Sequence, residues 1–273
     1  MIVFLILHYG EHSVTEACIK SIQGLGLRVP HEVLIVDNDP VPGTWDYPHV
    51  VKTGNVGFSE ANNKGYAYAK NELKASMVIA CNNDLLFDAA GFPEDVLTSY
   101  VDGDAYVVGP DIEKVGTGEH QSPIAAALRT ESEVRKTISL NNIALALYPV
   151  AYPFMKKGLK GATQLGVAVK GDESVIVPCG ACIIFTKKYV EREEKLFEPE
   201  TKFYYEEYIL ALRCSRRGYK IAYEPKLHVM HVDGAATAAD TSGDYARIRT
   251  KMRNNTDAAK VYLKYLKSSG LTE

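Results

Sequence analysis

The chain has 273 residues, 46% of them apolar and 24% charged, which is enough to bury a sizeable core and unlike a disordered or membrane-spanning polypeptide. Lys and Arg total 31 against 34 Asp and Glu, so no overall basic field exists to hold a nucleic-acid backbone, and a nucleic-acid partner is not expected. Cys18, Cys81, Cys179, Cys182 and Cys214 are odd in number in a chain that needs no covalent staples, and they read as reduced thiols of a cytoplasmic protein.

The opening MIVFLIL is too short an apolar run for a spanning helix and lacks the basic leader of a signal peptide, so Ile2 to Leu7 reads as a buried strand. Glu11 to Gly24 follows as a helix, with Val14, Cys18, Ile19 and Ile22 on one stripe and a glycine to stop it. Glu32 to Val36 is a second strand, broken by Asp37-Asn38-Asp39-Pro40; Phe58 to Leu73 is a helix and Met77 to Cys81 a third strand. Pro93 to Ser99 is helical, Ala105 to Val108 a strand, and Gly109 to Ser122 loop-rich. Ile124 to Tyr148 has a fairly polar helical pattern, and Pro149 to Gly161 adds two prolines and three lysines; residues 120–170 therefore read as a peripheral helical insertion. Ser174 to Val177 and Ile183 to Thr186 are strand-like, Glu206 to Arg217 is a helix, Ile221 to Tyr223 a short strand and Asp244 to Leu266 a last helix. Strands alternating with helices predict an α/β, Rossmann-like fold with a mostly parallel central sheet flanked by helices.

In such a sheet the polar turns after the strands form the ligand crevice. Here those turns are His8-Tyr9, Asp37-Asn38-Asp39 and Asn82-Asn83-Asp84, each directly after an apolar run, so all should converge on one edge. Asx-rich turns also form for purely conformational reasons, and for Asp37 to Asp39 both readings stay open. Asp84, presented after a buried strand beside two amides, suits a hard divalent cation, Mg or Mn, with Asn82 and Asn83 supplying neutral oxygens. The segment Asn55-Val-Gly-Phe-Ser-Glu-Ala-Asn-Asn-Lys-Gly65 puts a glycine turn before a helix, where free amides suit an anion, though Ser59 and Glu60 in the first turn serve a plain helix start equally well. Neither GxxxxGK[ST] nor GxGxxG after a strand occurs, which argues against a nucleoside triphosphatase and a dinucleotide-dependent dehydrogenase.

Glu206 and Glu207 fall in the first turn of their helix, where the macrodipole alone accounts for acids. With Tyr205, Ile209 and Leu212 as the buried stripe, one of the two acids faces the crevice while the other is expected to pair with Arg213 or Arg216. Cys179 and Cys182 with His228 and His231 have the residue types of a zinc site, but 45 residues lie between the pairs where compact fingers use about 12 to 15, and buried thiols are expected instead. The basic residues of the last helix, Arg253 among them, read as a solvated face, with a donor diphosphate or an anionic lipid as the other reading.

Several blocks then resemble one family in order. NVGFSEANNKG resembles the N-x-G-F-x-x-x-x-N-x-G signature of family 2 glycosyltransferases of GT-A fold, particularly the rhamnosyltransferase-like branch. VLIVDND resembles its second-strand V-D-N element, VIACNNDLLF its metal-binding L-N-(P or N)-D form, PCGACIIFTKK its G-A strand, and YYEEYILALRCSRRGY its Y-G-E-D-x-D-L-x-x-R-x-x-x-x-G-Y block, followed by a histidine. The likeness covers about residues 1–110 and 174–255 and leaves out the middle insertion. It implies one domain over 1–273, with 1–110 as the nucleotide-sugar half and 174–255 as the acceptor and catalytic half. It implies that Asp37 binds the nucleobase, that Asn38, Asn55, Gly57 and Asn62 lie near the nucleotide with His8, Tyr9, Asn82 and Asn83, and that Arg253 of an Arg-Asn pair reaches the diphosphate. Asp84 and His231 would hold the metal, and Glu207 would be the general base. Tyr205 stands where the family commonly has glycine, and Ile209 replaces its second acid.

The expected activity is metal-dependent, inverting transfer of a sugar from a nucleoside-diphosphate sugar to a hydroxyl of a polysaccharide or glycolipid, with peripheral contact to a membrane where the acceptor is lipid-linked. The alternatives are a silent sugar-nucleotide-binding protein and a nucleotidyltransferase, the latter lacking its early Gly-rich, Arg- and Lys-bearing loop.

Overall fold

A computed structural model describes residues 1–149, 152, 166–167, 175–232 and 244–268. Its strands are β1 (Ile2–His8), β2 (His31–Asp37), β3 (Val50–Lys52), β4 (Met77–Asn82), β5 (Leu85–Leu86), β6 (Val107–Lys114), β7 (Glu119–His120), β8 (Cys182–Phe185) and β9 (Ile221–His231). Its helices are α1 (His12–Gln23), α2 (Phe58–Asn71), α3 (Glu94–Ser99), α4 (Glu131–Ala146), α5 (Lys187–Arg192), α6 (Glu206–Arg217) and α7 (Asp244–Lys267). The strands form one mixed sheet in the order β3-β2-β1-β4-β8-β6-β9-β5, with β7 added beside β6. The pairs among β3, β2, β1 and β4 are parallel, as is β6 with β9, while β8 runs antiparallel to both neighbours. Among the described residues no helix is long and apolar enough to cross a membrane.

β1 is apolar on both faces because both are covered. Ile2, Phe4 and Ile6 join Cys18, Ile19 and Ile22 of α1 in one core, and Val3, Leu5 and Leu7 join Ala61, Tyr66 and Ala69 of α2 in the other. A third cluster packs Tyr205, Ile209 and Leu212 against Val134 of α4 and Ala258, Ala259 and Tyr262 of α7. The stripe expected on α6 is buried there, while Leu210 and Cys214 of the same helix pack into the second core.

Three boundaries differ by more than two residues from those expected. β6 runs on to Lys114 through a stretch taken as loop, because its polar side chains find partners across the sheet: Asp111 accepts from His120 and Tyr223, and Glu113 lies 3.1 Å from His228. β9 is correspondingly long and carries Pro225, absorbed where the β6–β9 register shifts at Pro110/Asp111. α4 begins at Glu131, not Ile124, since Thr130 and Glu133 form a capping box. Val177 makes only a single bridge, to Ala125; Ser174 and most of 149–161 lie outside the described residues.

The basic end of α6 ties it to the segment before it. Buried Arg213 pairs with Glu198 at 3.1 Å and donates to the carbonyl oxygen of Leu196 at 2.6 Å and to the Tyr189 hydroxyl, while Arg217 pairs with Glu193. Arg213→Met leaves the Glu198 carboxylate with Lys195 at 2.7 Å and the Tyr265 hydroxyl at 3.3 Å, and the expected loss is about 3 kcal/mol, the low end for breaking a buried pair. Denaturant unfolding of the two proteins at pH 7 measures it; equal midpoints would show that the pair contributes nothing.

Candidate functional site

Parallel register places His8 beside Asp37 and Leu7 beside Asn82, so the three polar turns meet at one sheet edge. They are wired together. Asn83 Nδ2 donates to Thr15 Oγ1 at 2.9 Å, and Thr15 lies 2.7 Å from His8 Nδ1. His8 Nε2 is 3.2 Å from Asp39, whose other oxygen accepts from the Gly10 amide at 2.8 Å. Burial pushes the His8 pKa down against the pull of Asp39 and Asp37, so the ring is neutral at pH 7. The consistent assignment is Nε2–H donating to Asp39 and Nδ1 accepting from Thr15. Half-buried Tyr9 joins through its carbonyl, 3.3 Å from Asn83 Nδ2.

Asp37 is fully buried, and its carboxylate accepts from the amides of Asp39 and Gly43 and from Trp45 Nε1 at 2.8 Å. Trp45 stacks on His12 at 4.0 Å and meets His8 edge-on. Asn38 Oδ1 accepts from the Thr53 hydroxyl and the Val56 amide, fixing the turn before α2. That turn is left-handed at Gly54, Asn55 and Gly57. A side chain at Gly57 would meet Lys202 Cα at 3.3 Å, and the first amide of α2, on Phe58, donates to Lys202 O at 3.0 Å. The helix start expected to be open to an anion is therefore backed by the chain at 201–202. Asn62 donates back to Phe58 O, whereas Asn63, which sequence reasoning passed over, binds the backbone of Leu196 and Phe197.

Two sets of groups have metal-ligand chemistry. His8, Asp37 and Asp39 offer ligand atoms within 4.8 Å of one another, the one such trio among the described residues. The Asp37 oxygens in it already accept three N–H groups. The second set is Asp84 with His231, held face to face by the β5–β9 ladder and the Val232 amide on Asp84 O. His231 Nδ1 donates to Gln121 Oε1 at 2.7 Å, and its Nε2 stands 3.2 Å from Asp84 Oδ1. Asp84 Oδ1 is buried and has no hydrogen-bond partner. A carboxylate oxygen and a ring nitrogen this close, with the other ring nitrogen tied to an amide oxygen, have the ligand chemistry of a cation site, and with the ring in its imidazolium form the same pair is an ion pair. Gln121 was missed because nothing in its loop marks it.

Glu207 meets the same strand end by way of residues 180–181. The amide of Asn82 donates to Ala181 O at 2.9 Å, and the neighbouring Gly180 leaves room for Glu207: a methyl group there would stand 2.4 Å from Oε1. Burial raises the Glu207 pKa, opposed by its own amide and that of Gly180. Glu206 is 7% exposed, its Oε2 has no partner, and burial with the nearby Glu207 charge lifts its pKa well above the usual carboxylate range. It does not pair with Arg213 or Arg216, since the first is committed to Glu198 and the second donates to the carbonyls of Leu266 and Ser268. Ahead of the acids, Tyr204 and Tyr205 are left-handed, with φ of 74° and 63°. This explains why glycine suits the position of Tyr205; here burial against Tyr262 and a hydrogen bond from Arg129 hold the strained residue.

Other candidates lie apart. The cysteines are free thiols, four of them buried and Cys179 partly so, and His228 turns to Glu113 and away from any thiol. Arg253 is exposed on α7, and among the described residues no hydrogen bond or ion pair joins it to the strand-end cluster.

No family model and no curated protein matches the chain. Solved structures do. S. aureus TarS residues 1–349 aligns at a TM-score of 0.50 and 11% identity, over 98% of this chain and 73% of that one. The mannosyltransferase PcManGT from Pyrobaculum calidifontis, in complex with GDP-Man and Mn2+, aligns at 0.48 and 15% identity, over 96% of this chain and 69% of that one. At such identities the likeness is one of fold, and the fold is GT-A-like: a largely parallel central sheet flanked by helices.

The isolation of Glu206 sets a pH dependence. Its folded pKa is raised above the usual value of about 4.3, so the stabilising proton is present below that value and lost as pH rises through the folded pKa. Glu206→Gln removes the loss, and urea unfolding from pH 5 to 8 should show a flatter decline of stability than in the parent. Parallel curves would mean that Glu206 ionises without cost.

Proposed function

We propose that the chain is an inverting, metal-dependent glycosyltransferase of the rhamnosyltransferase-like branch of family 2, moving a sugar from a nucleoside-diphosphate sugar to a hydroxyl of a polysaccharide or glycolipid. The observation that carries this reading is that Asp84 Oδ1 faces His231 Nε2 at 3.2 Å, with half-buried Glu207 joined to the same strand end through Gly180 and the Ala181–Asn82 hydrogen bond. Asp84 and His231 would hold Mg or Mn, which when bound neutralises the charge of the departing diphosphate. Glu207 takes the proton of the acceptor hydroxyl as its oxygen bonds to the anomeric carbon, and the bond from that carbon to the diphosphate breaks on the opposite face. Asp37 meets the nucleobase where Trp45 Nε1 now donates, with residues 1–110 as the donor half and 174–255 as the acceptor half.

Trp45 is the single tryptophan and lies at the donor edge, so its fluorescence reports nucleotide binding. Adding UDP with Mn2+ should change the emission. Asp84→Asn should remove the Mn2+-dependent part, and Gln121→Ala should weaken Mn2+ by about 10- to 100-fold, as loss of a group orienting a metal-bound histidine does. Unchanged Mn2+ titrations in both variants would remove this pair from the donor site.

Glu207→Gln should retain nucleotide binding while transfer falls by about 10² to 10⁴. Gly180→Ala, which pushes the carboxylate from its place, should lower turnover in the same way. Radiolabelled transfer from a donor panel reads both. If Glu206→Gln is the inactive variant and Glu207→Gln transfers normally, the base is Glu206; nucleotide binding with no transfer by the parent protein would favour a silent binder.

A further inference from the structure

A recess of about 360 Å³ opens beside α6, lined by Ala125, Ala126, Leu128, Arg129, Glu133 and Tyr208. Its place follows from the chain path. Val177 bridges Ala125, with amide-to-carbonyl bonds of 2.9 Å in both directions across the Ile124–Ala125 segment. Three residues on, a span of about 10 Å when extended, Gly180 abuts the Glu207 carboxylate, and Ala181 holds Asn82. Tyr208 follows Glu207 directly. The recess thus borders Glu207 through its wall residue Tyr208, and its other wall is joined through the Ala125–Val177 bridge to the segment that carries Gly180.

The chemistry of the walls is specific. The Arg129 guanidinium lies 5.7 Å from the Tyr205 ring centre and 5.8 Å from that of Tyr208. One of its N–H groups donates to the Tyr205 hydroxyl, and among the described residues no carboxylate lies within ion-pair distance of it. Arginine has five N–H donors in a planar fork that matches a carboxylate or a phosphate. Glu133, in the same lining, feels the Arg129 charge but makes no hydrogen bond to it; its carboxylate accepts from the Thr130 amide at 2.7 Å and hydroxyl at 2.8 Å at the start of its own helix. The alanines leave one wall low, and half-exposed Tyr208 offers an aromatic surface.

We propose that this recess is an acceptor subsite selecting a sugar ring that carries an anionic group, the ring lying against Tyr208 and the carboxylate or phosphate meeting Arg129. The assignment rests on the transferase reading above. Saturation-transfer NMR on the full chain, with methyl β-glucoside, methyl β-glucuronide and glucose 6-phosphate as probes and UDP with Mn2+ saturating the donor side, tests it. At least one anionic sugar should bind about tenfold more tightly than the neutral one, the gain of a charge-assisted hydrogen-bond pair. Preference for the glucuronide alone assigns the anion as a carboxylate, and preference for the phosphate alone assigns it as a phosphate. Arg129→Gln should erase the preference, Arg129→Lys should keep part of it, and Tyr208→Leu should weaken all probes, with the Trp45 response to UDP and Mn2+ unchanged in each. Equal binding of the probes, or a preference that survives Arg129→Gln, overturns the subsite. If no sugar binds while UDP and Mn2+ do, the subsite is wrong and the transferase reading stands; if UDP and Mn2+ also fail to bind, that reading falls with it.

Discussion

The parallel pairing of β1 with β2 and β4 is the constraint on which the site depends. It sets His8 beside Asp37 and Leu7 beside Asn82, so polar turns from three distant parts of the chain end at one level. Buried polar groups must then satisfy one another, and they do so in a continuous path from Asn83 through Thr15 and His8 to Asp39 and the Gly10 amide. The path fixes the His8 tautomer and leaves the Asp37 carboxylate to order the segment carrying Gly43 and Trp45. A shift of one residue between β1 and β4 would turn every inward side chain of β1 to the other face, so the two cores and the polar path specify the same register.

The second half of the chain is fitted to that edge through few contacts. β8 pairs antiparallel with β4, and the Asn82 amide on Ala181 O brings Gly180 to the place where Glu207 needs space. α6 is held at its far end by Arg213 and Arg217 on the 193–198 segment. With its far end anchored, the helix can carry two left-handed tyrosines and an unpartnered carboxyl at its start. Costs of this kind persist where the surroundings over-determine the conformation, here through the Tyr205, Tyr208 and Tyr262 cluster.

Much of this was legible in the sequence because periodicity reports burial. The apolar runs of β1, β2 and β4, the stripes of α1 and α6, and the convergence of the Asx turns all follow from it. β6 beyond Val108 was not legible, since Asp111 and Glu113 look like loop residues until Tyr223 and His228 are placed beside them. The capping box at Thr130 was present as a signal, and a longer apolar pattern obscured it. The pairing of Asp84 with His231 came only through family resemblance, because no local pattern links two such distant residues. Gly180 was visible within a motif, but its reason, room for Glu207, needed the fold. The isolation of Glu206 was the least accessible feature: a count of nearby basic residues predicts a partner, but Glu198 takes Arg213 and the carbonyls of Leu266 and Ser268 take Arg216.

The stretch that resembles nothing in the family is where the chain's individuality is concentrated. Residues read as a peripheral insertion supply Gln121 to His231 and Arg129 to the tyrosines that flank the acids. The two contributions differ in kind. Gln121 reaches inward beside a buried ladder, so changing it disturbs the Asp84–His231 pair. Arg129 and the alanines before it are attached through the Ala125–Val177 bridge and the Tyr262 hydroxyl on Arg129 O, contacts that leave the 125–129 side chains out of the sheet. Substitutions there alter the wall beside Glu207 without touching the strand ends. The architecture thus separates a strand-end edge locked by sheet register from a short surface run attached through few contacts.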